Sequence, residues 1–175
     1  WNSAGNLESW TTSQVTSATV SGGSLSGTTS GTDSLVSRSN FGSGPDLDLG
    51  FNDSLELRMQ VPASYADNIE IYYGTTTTTG FSGARIITIP NATIPKDGGF
   101  HTYRIDVGPE PWWRATLRDL RVDPGNVSGV AFAIDYLRVG DLPGDVYLPN
   151  TTDQPVTAYE LSSKHFRFIW DANRA

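Results

Sequence analysis

The chain has 175 residues, of which 37% are hydrophobic and 18% are charged, a balance typical of a globular domain and not of a disordered chain. The net charge is −7, and the two lysines, Lys96 and Lys164, leave little material for the basic surface that a general nucleic-acid binder needs. The sequence contains no cysteine, which excludes disulfides and thiolate sites, and no apolar run of about 18 residues that would predict a membrane span.

The predicted elements are strands, because apolar residues recur with a period of two along most of the chain. The segments between them are rich in Gly, Asp, Asn, Ser and Pro, as at residues 96–99 and 123–126, and this composition is typical of turns. The predicted strands, in chain order, cover residues 14–20, 34–37, 55–61, 69–73, 85–89, 101–107, 117–122 and 130–139. We therefore predict an all-β protein, a two-sheet antiparallel sandwich or jelly roll, with residues 130–139 as a central strand.

The composition changes after Gly140, which predicts two regions. Residues 1–140 would form the sandwich, and residues 141–175 a C-terminal extension that begins with a proline-containing linker. Within residues 161–170, Phe166, Phe168 and Trp170 would share one face of a strand, which has to be covered. It would pack on this domain, on a following domain, or on a neighbouring subunit as an exchanged strand.

A search for catalytic motifs gives no support for an enzyme. The sequence lacks a phosphate-binding loop, a nucleophile elbow and a zinc-protease motif. Of its two histidines, His101 lies in a regular predicted strand and His165 in the extension, and the five glutamates are scattered over polar faces. We expect a non-catalytic protein, which could still be an accessory module of a larger enzyme.

Asp135 interrupts the apolar run of residues 130–134, so its carboxylate needs a partner. Calcium is one candidate, since it takes hard oxygen ligands. An arginine or several hydrogen bonds would serve equally well, and simple solvent exposure is the third alternative.

Adjacent tryptophans suggest a ligand platform. Trp112 and Trp113 point to opposite sides of an extended chain, so one can be in the core while the other faces solvent. Flat aromatic rings stack on the C–H faces of sugars, and polar groups at the rim bind the hydroxyls. Phe81 and Tyr72 are further candidates for an exposed aromatic surface.

Asn-x-Ser/Thr sequons offer four possible glycosylation sites, at Asn52, Asn91, Asn126 and Asn150.

The order of several short motifs over residues 1–140 resembles that of jelly-roll, galactose-binding-like carbohydrate-binding modules of secreted polysaccharide-active proteins. The motifs are Trp1-Asn2, Gly5-Asn6-Leu7-Glu8-Ser9-Trp10, Leu55-Glu56-Leu57-Arg58-Met59, Ile69-Glu70-Ile71-Tyr72-Tyr73-Gly74-Thr75, His101-Thr102-Tyr103-Arg104, Trp113 with Leu117-Arg118-Asp119-Leu120-Arg121-Val122, and Ile134-Asp135-Tyr136-Leu137-Arg138. The chain departs from the family pattern at Ser34, where proline is usual, and at Phe100, where tryptophan is usual.

The resemblance implies an extracellular β-sandwich that binds a polysaccharide or glycan without catalysis. It also implies a structural calcium ion held by Asp135 and, less directly, by Asn2. Trp113 matches the usual tryptophan of the pattern, whereas Trp112 has no counterpart there. We therefore predict Trp112 as the ligand platform, with Phe81, Tyr72 and Arg114 as neighbours. The alternative function is a structural, self-assembling subunit that uses residues 161–170 to join its neighbours.

Overall fold

The computed structural model describes residues 1–41, 48–50 and 52–140, and this part of the chain forms two packed antiparallel sheets of five strands each. The strands are β1 (Thr11–Ser13), β2 (Val15–Ser21), β3 (Ser24–Thr29), β4 (Ser34–Ser39), β5 (Ser54–Gln60), β6 (Ile69–Thr75), β7 (Ile86–Ile89), β8 (Phe100–Asp106), β9 (Leu117–Gly125) and β10 (Ala131–Gly140). A short 3-10 turn covers Asn91–Thr93. None of the helical structure in the described residues is long and apolar enough to cross a membrane.

Sheet A has the strand order β1-β4-β9-β6-β7, and sheet B has the order β2-β3-β10-β5-β8. Every strand pair in both sheets is antiparallel, and strands that are neighbours in a sheet are often distant in sequence, as β4 and β9 are. This confirms the predicted all-β sandwich. It also confirms that residues 130–139 supply a central strand, because β10 lies in the middle of sheet B.

Alternation of inward and outward residues builds the core between the sheets. Leu55, Leu57 and Met59 of β5 and Ile69 and Ile71 of β6 face inward and are almost completely buried. Their outward neighbours are polar, as expected for strands with one face on the core and one face toward solvent. Removing this much apolar surface from water is the main stabilising contribution to the fold.

Two observed strands, β1 and β3, are not predicted by the alternating pattern, because between them they contain a single large apolar residue, Leu25. β1 is only three residues long and entirely polar. β3 alternates correctly, but its inward positions are Leu25, Gly27 and Thr29. A Cβ at Gly27 would lie 2.5 Å from Cγ1 of Val15, so the place of a side chain there is already filled from β2. The extension predicted over residues 141–175, with the strand at residues 161–170, lies outside the described residues.

Candidate functional site at one end of sheet A

A cavity of about 370 Å³ opens at one end of sheet A, where β6 ends and β9 begins. The register pairs Thr75, the last residue of β6, with Leu117, the first residue of β9. The chain before β9 and the chain after β6 therefore meet beyond this pair. Together they form the Trp112 pocket, which is lined by Thr77, Thr78, Trp112, Arg114 and Ala115.

Of the two adjacent tryptophans, one is buried and the other is exposed, as the sequence predicted. Trp113 is 6% exposed, and its ring packs edge-on against Tyr73 with the centroids 4.9 Å apart. Its indole N–H donates to the backbone carbonyl of Asn52 at 2.6 Å. Trp112 is 40% exposed and contributes its ring to the pocket. Burial of one indole therefore fixes the backbone that displays the other.

Arg114 completes an aromatic and cationic wall. Its Cζ lies 5.4 Å from the centroid of the Trp112 ring, within range of a cation–π contact. A local turn places both residues, because the amide of Arg114 donates to the carbonyl of Trp112 at 2.9 Å and Ala115 has a φ of +65°. The structure thus brings together two of the four predicted ligand-binding residues.

The opposite wall comes from the threonine run that follows β6. Buried Thr75 organises this turn: its Oγ1 accepts the amide of Thr78 at 3.1 Å and lies 2.8 Å from the Thr78 hydroxyl. Thr77 and Thr78 then line the pocket. Thr77 and Thr78 were not predicted as site residues, and the run of five threonines at residues 75–79 is the one sequence feature that could have indicated them. Ala115 has no comparable signal in the sequence.

Tyr72 does not line the Trp112 pocket but lies on the outer face of sheet A. The guanidinium of Arg121 lies 4.8 Å from its ring centroid, and its hydroxyl donates to Glu70 at 3.1 Å. Burial, together with Glu70, raises the pKa of Tyr72 to about 12. Arg121 in turn binds the carboxylates of Asp123 and Asp33. Burial raises the pKa of Asp123, which is 2% exposed, although this ion pair opposes the shift.

Phe81 is half-buried in the loop between β6 and β7, outside the pocket lining. This loop folds against the outer side of sheet A, where the amide of Gly80 donates to Asp119 at 3.1 Å. The approach requires glycine at position 74, since a Cβ there would lie 2.7 Å from Oδ2 of Asp119 and 2.8 Å from the Gly80 carbonyl. Phe81 therefore follows the pocket in sequence without lining it.

The carboxylate of Asp135 has an arginine as its partner, which is one of the alternatives predicted from the sequence. It occupies a bulge in β10, between the pairings of Ile134 and Tyr136, and its carboxylate forms an ion pair with Arg58. The backbone of Asn2 donates instead to the carboxylate of Glu8. No cluster of three or more His, Cys, Asp or Glu side chains suited to a metal occurs within residues 1–41, 48–50 and 52–140. The ion pair with Arg58 argues against calcium at Asp135, because a single carboxylate that is already neutralised offers a calcium ion little charge. Calcium at Asp135 and Asn2 stays an untested prediction.

Three of the four sequons fall in the described part of the chain. The side-chain amide of Asn52 donates to the carbonyl of Asp48 at 2.7 Å, and that of Asn91 donates to the carbonyl of Asp67 at 2.6 Å. Asn126 is exposed in the turn between β9 and β10. Asn150 lies outside the described residues.

Comparison with solved structures finds the same fold in carbohydrate-binding modules. A variant of a family 29 carbohydrate-binding module has a TM-score of 0.54 and 16% sequence identity, with coverage of 80% of this chain and 87% of the module. A second family 29 module has a TM-score of 0.52 and 13% identity, covering 77% and 80% of the two chains. A variant complexed with mannohexaose has a TM-score of 0.53 and 15% identity, covering 80% and 87%.

No protein-family model matches the chain, and no curated protein matches it either. At 13–16% identity, the structural likeness establishes a shared jelly-roll β-sandwich.

Proposed function

We propose that this chain is a non-catalytic carbohydrate-binding module that holds a glycan in the Trp112 pocket. The observation that carries the proposal is the exposed indole of Trp112 in a cavity beside Arg114 and two threonine hydroxyls. A pyranose ring presents C–H bonds to an aromatic face, while its hydroxyls seek donors and acceptors at the rim. The pocket offers both kinds of contact.

The pocket's size suits a short stretch of glycan. Binding cavities for small ligands span about 300–1,000 Å³, and this one lies near the lower limit at about 370 Å³. It also opens at the end of a rigid sandwich, and Trp113 holds the backbone that carries the platform. A preorganised platform loses little conformational freedom when the ligand binds.

The pocket's chemistry favours binding over bond cleavage. Glycoside hydrolysis uses two carboxyl groups placed on either side of the scissile bond. The residues that line the Trp112 pocket are two threonines, a tryptophan, an arginine and an alanine, none of which can act as such an acid or nucleophile at neutral pH. Solved modules of the same fold support a binding role, since two of them are complexed with mannohexaose and with cellulohexaose.

Affinity electrophoresis against a panel of soluble polysaccharides tests the proposal. The panel contains a glucomannan, a soluble cellulose derivative and an acidic polysaccharide. We expect at least one polymer to retard the protein. Trp112→Ala should raise the Kd for that polymer by about 30-fold, because the loss of a central aromatic contact costs ~2 kcal/mol of binding free energy. Because Trp112 is 40% exposed, its removal should leave the melting temperature nearly unchanged.

Tyr136→Ala is the matched control. Tyr136 lies on the outer face of sheet B with the guanidinium of Arg138 4.7 Å from its ring centroid, so it repeats the aromatic–arginine contact away from the pocket. This variant should bind like the wild type. The proposal fails when no polymer retards the wild type, or when Trp112→Ala and Tyr136→Ala weaken binding equally.

A further inference from the structure

Arg114 differs from most other arginines of the described chain in lacking an acidic partner. Its guanidinium is exposed and contacts the Trp112 ring, and no carboxylate among the described residues pairs with it. Five other arginines do form ion pairs with carboxylates: Arg58, Arg104, Arg118, Arg121 and Arg138. Arg114 thus leaves its hydrogen-bond donors directed at solvent or at whatever enters the pocket.

Among the described residues, the lining of the pocket contains no acidic side chain. Asp48 lies across the bridge from Thr116, and its carboxylate accepts the amide of Gly50 at 2.9 Å and does not line the pocket. Glu110 precedes Trp112 by two residues and does not line the pocket. A single cation is therefore displayed in a cavity of a chain whose net charge is −7.

We infer that the sugar bound in the Trp112 pocket carries a negative charge, as a carboxylate or a sulfate group. This inference rests on the proposed function and names the class of glycan. A guanidinium binds such groups through charge-assisted hydrogen bonds that are stronger than those to neutral hydroxyls. The cation–π contact holds Arg114 over the Trp112 ring, next to any sugar that packs on the free part of this indole. One ligand can then satisfy the aromatic face with its ring and the guanidinium with its acidic group.

Two matched pairs of polymers separate the effect of charge from that of shape. Polygalacturonate and its fully methyl-esterified form share one backbone and differ in the carboxylate, while a sulfated galactan and its desulfated form differ in the sulfate. In affinity electrophoresis we expect at least one charged polymer to bind roughly tenfold or more tightly than its neutral counterpart. The preferred pair identifies the acidic group. Because the contact is exposed, the preference should shrink when salt is raised to about 0.5 M.

Substitutions at Arg114 locate the effect. Arg114→Gln should abolish the preference, so that the charged and the neutral polymer of a pair bind with equal affinity. Arg114→Lys should retain part of the preference, because it keeps the charge but loses the planar fork. Arg104→Gln is the control, since it removes an exposed arginine from the outer face of sheet B. It should keep the wild-type preference for the charged polymer.

The outcomes distinguish this inference from the proposed function. Equal binding of charged and neutral polymers by the wild type, abolished by Trp112→Ala, would overturn the acidic-sugar inference and leave glycan binding in place. A preference for the charged polymer that survives in Arg114→Gln, or that Arg104→Gln also removes, would likewise overturn it. Failure of every polymer to bind would overturn both.

Discussion

The indole N–H of Trp113 donates to the backbone carbonyl of Asn52 at 2.6 Å and so ties the chain before β9 to the chain before β5. Asn52 and Trp113 are far apart in sequence, and β5 and β9 belong to different sheets. This hydrogen bond therefore crosses the sandwich at the end where the Trp112 pocket opens. It makes Trp113 a positioning residue for a platform that it does not itself form.

Trp113→Phe should lower both the stability and the affinity for glycan. The variant loses the N–H that satisfies the Asn52 carbonyl and part of a buried ring, which together should reduce the free energy of unfolding by about 1–3 kcal/mol. Denaturant unfolding measures this loss, and titration calorimetry with the bound polysaccharide measures the affinity. Ile134→Val is the control: it trims the core by one methylene at a cost of about 1 kcal/mol and should leave binding unchanged. Unchanged affinity in Trp113→Phe would contradict the positioning role.

A chelator should leave the melting temperature unchanged, because Arg58 already balances the charge of Asp135. Calorimetric melting with and without excess EDTA, and after addition of calcium, measures this. Asp135→Asn should be modestly destabilising, by about 1 kcal/mol or less, since the ion pair is partly exposed. A marked drop of the melting temperature in EDTA would instead support the calcium site predicted at Asp135 and Asn2.

The ion pairs of Glu56 should make the free energy of unfolding depend on pH in the acid range. Hydrogen bonds from Arg104 and then Arg138 hold the pKa of this carboxyl below its ordinary value of 4.5. Because the folded pKa is lower than the unfolded one, the contribution to stability is complete above 4.5 and is lost as the pH falls through the folded pKa. We expect Glu56→Gln to melt below the wild type at neutral pH, and the gap to narrow in acid. A gap that stays constant with pH would contradict this origin.

The three described sequons should be glycosylated to different extents if the chain passes through a eukaryotic secretory pathway. Asn126 is exposed in a turn, whereas the amides of Asn52 and Asn91 donate to backbone carbonyls. We expect modification at Asn126 and little at the other two, measured by peptide mass spectrometry after enzymatic release of the glycans. Asn126→Gln should then abolish the modification within residues 52–126. Efficient glycosylation of Asn91 with the fold intact would contradict the prediction.

Features that depend on local alternation were predictable from the sequence. The strands at β5, β6, β8 and β10 follow from a period of two, because side chains on a strand point to opposite faces and one face is buried. The same reasoning predicted one exposed and one buried ring for Trp112 and Trp113, and this is what the structure has. The two residues lie in a turn, however, in which the amide of Trp113 donates to the carbonyl of Glu110 at 3.1 Å, and not in an extended chain. Short polar strands such as β1 escaped this reasoning, since they carry no apolar signal and are held by hydrogen bonds to their neighbour β4.

Features that depend on which distant strands become neighbours were decided by the tertiary structure. Tyr72 and Trp112 were predicted as parts of one surface, yet Tyr72 lies beside Arg121 on the outer face of sheet A, and Trp112 lies beyond the strand ends with Thr77 and Thr78. Asp135 required a partner by its chemistry, but only the pairing of β10 with β5 determined that Arg58 would supply it.

Length, composition and charge alone indicated a globular, strand-rich, acidic chain of 175 residues. The alternating pattern then determined the sandwich, because the direction of side chains along a strand is a local property. The tertiary structure decided that Trp112 shares a cavity with Arg114 and the threonine turn, because the end of β6 meets the start of β9 only through long-range pairing. It also decided that Arg114 forms no ion pair with a carboxylate of the described residues, since ion pairs form between residues that the fold, and not the sequence order, makes neighbours.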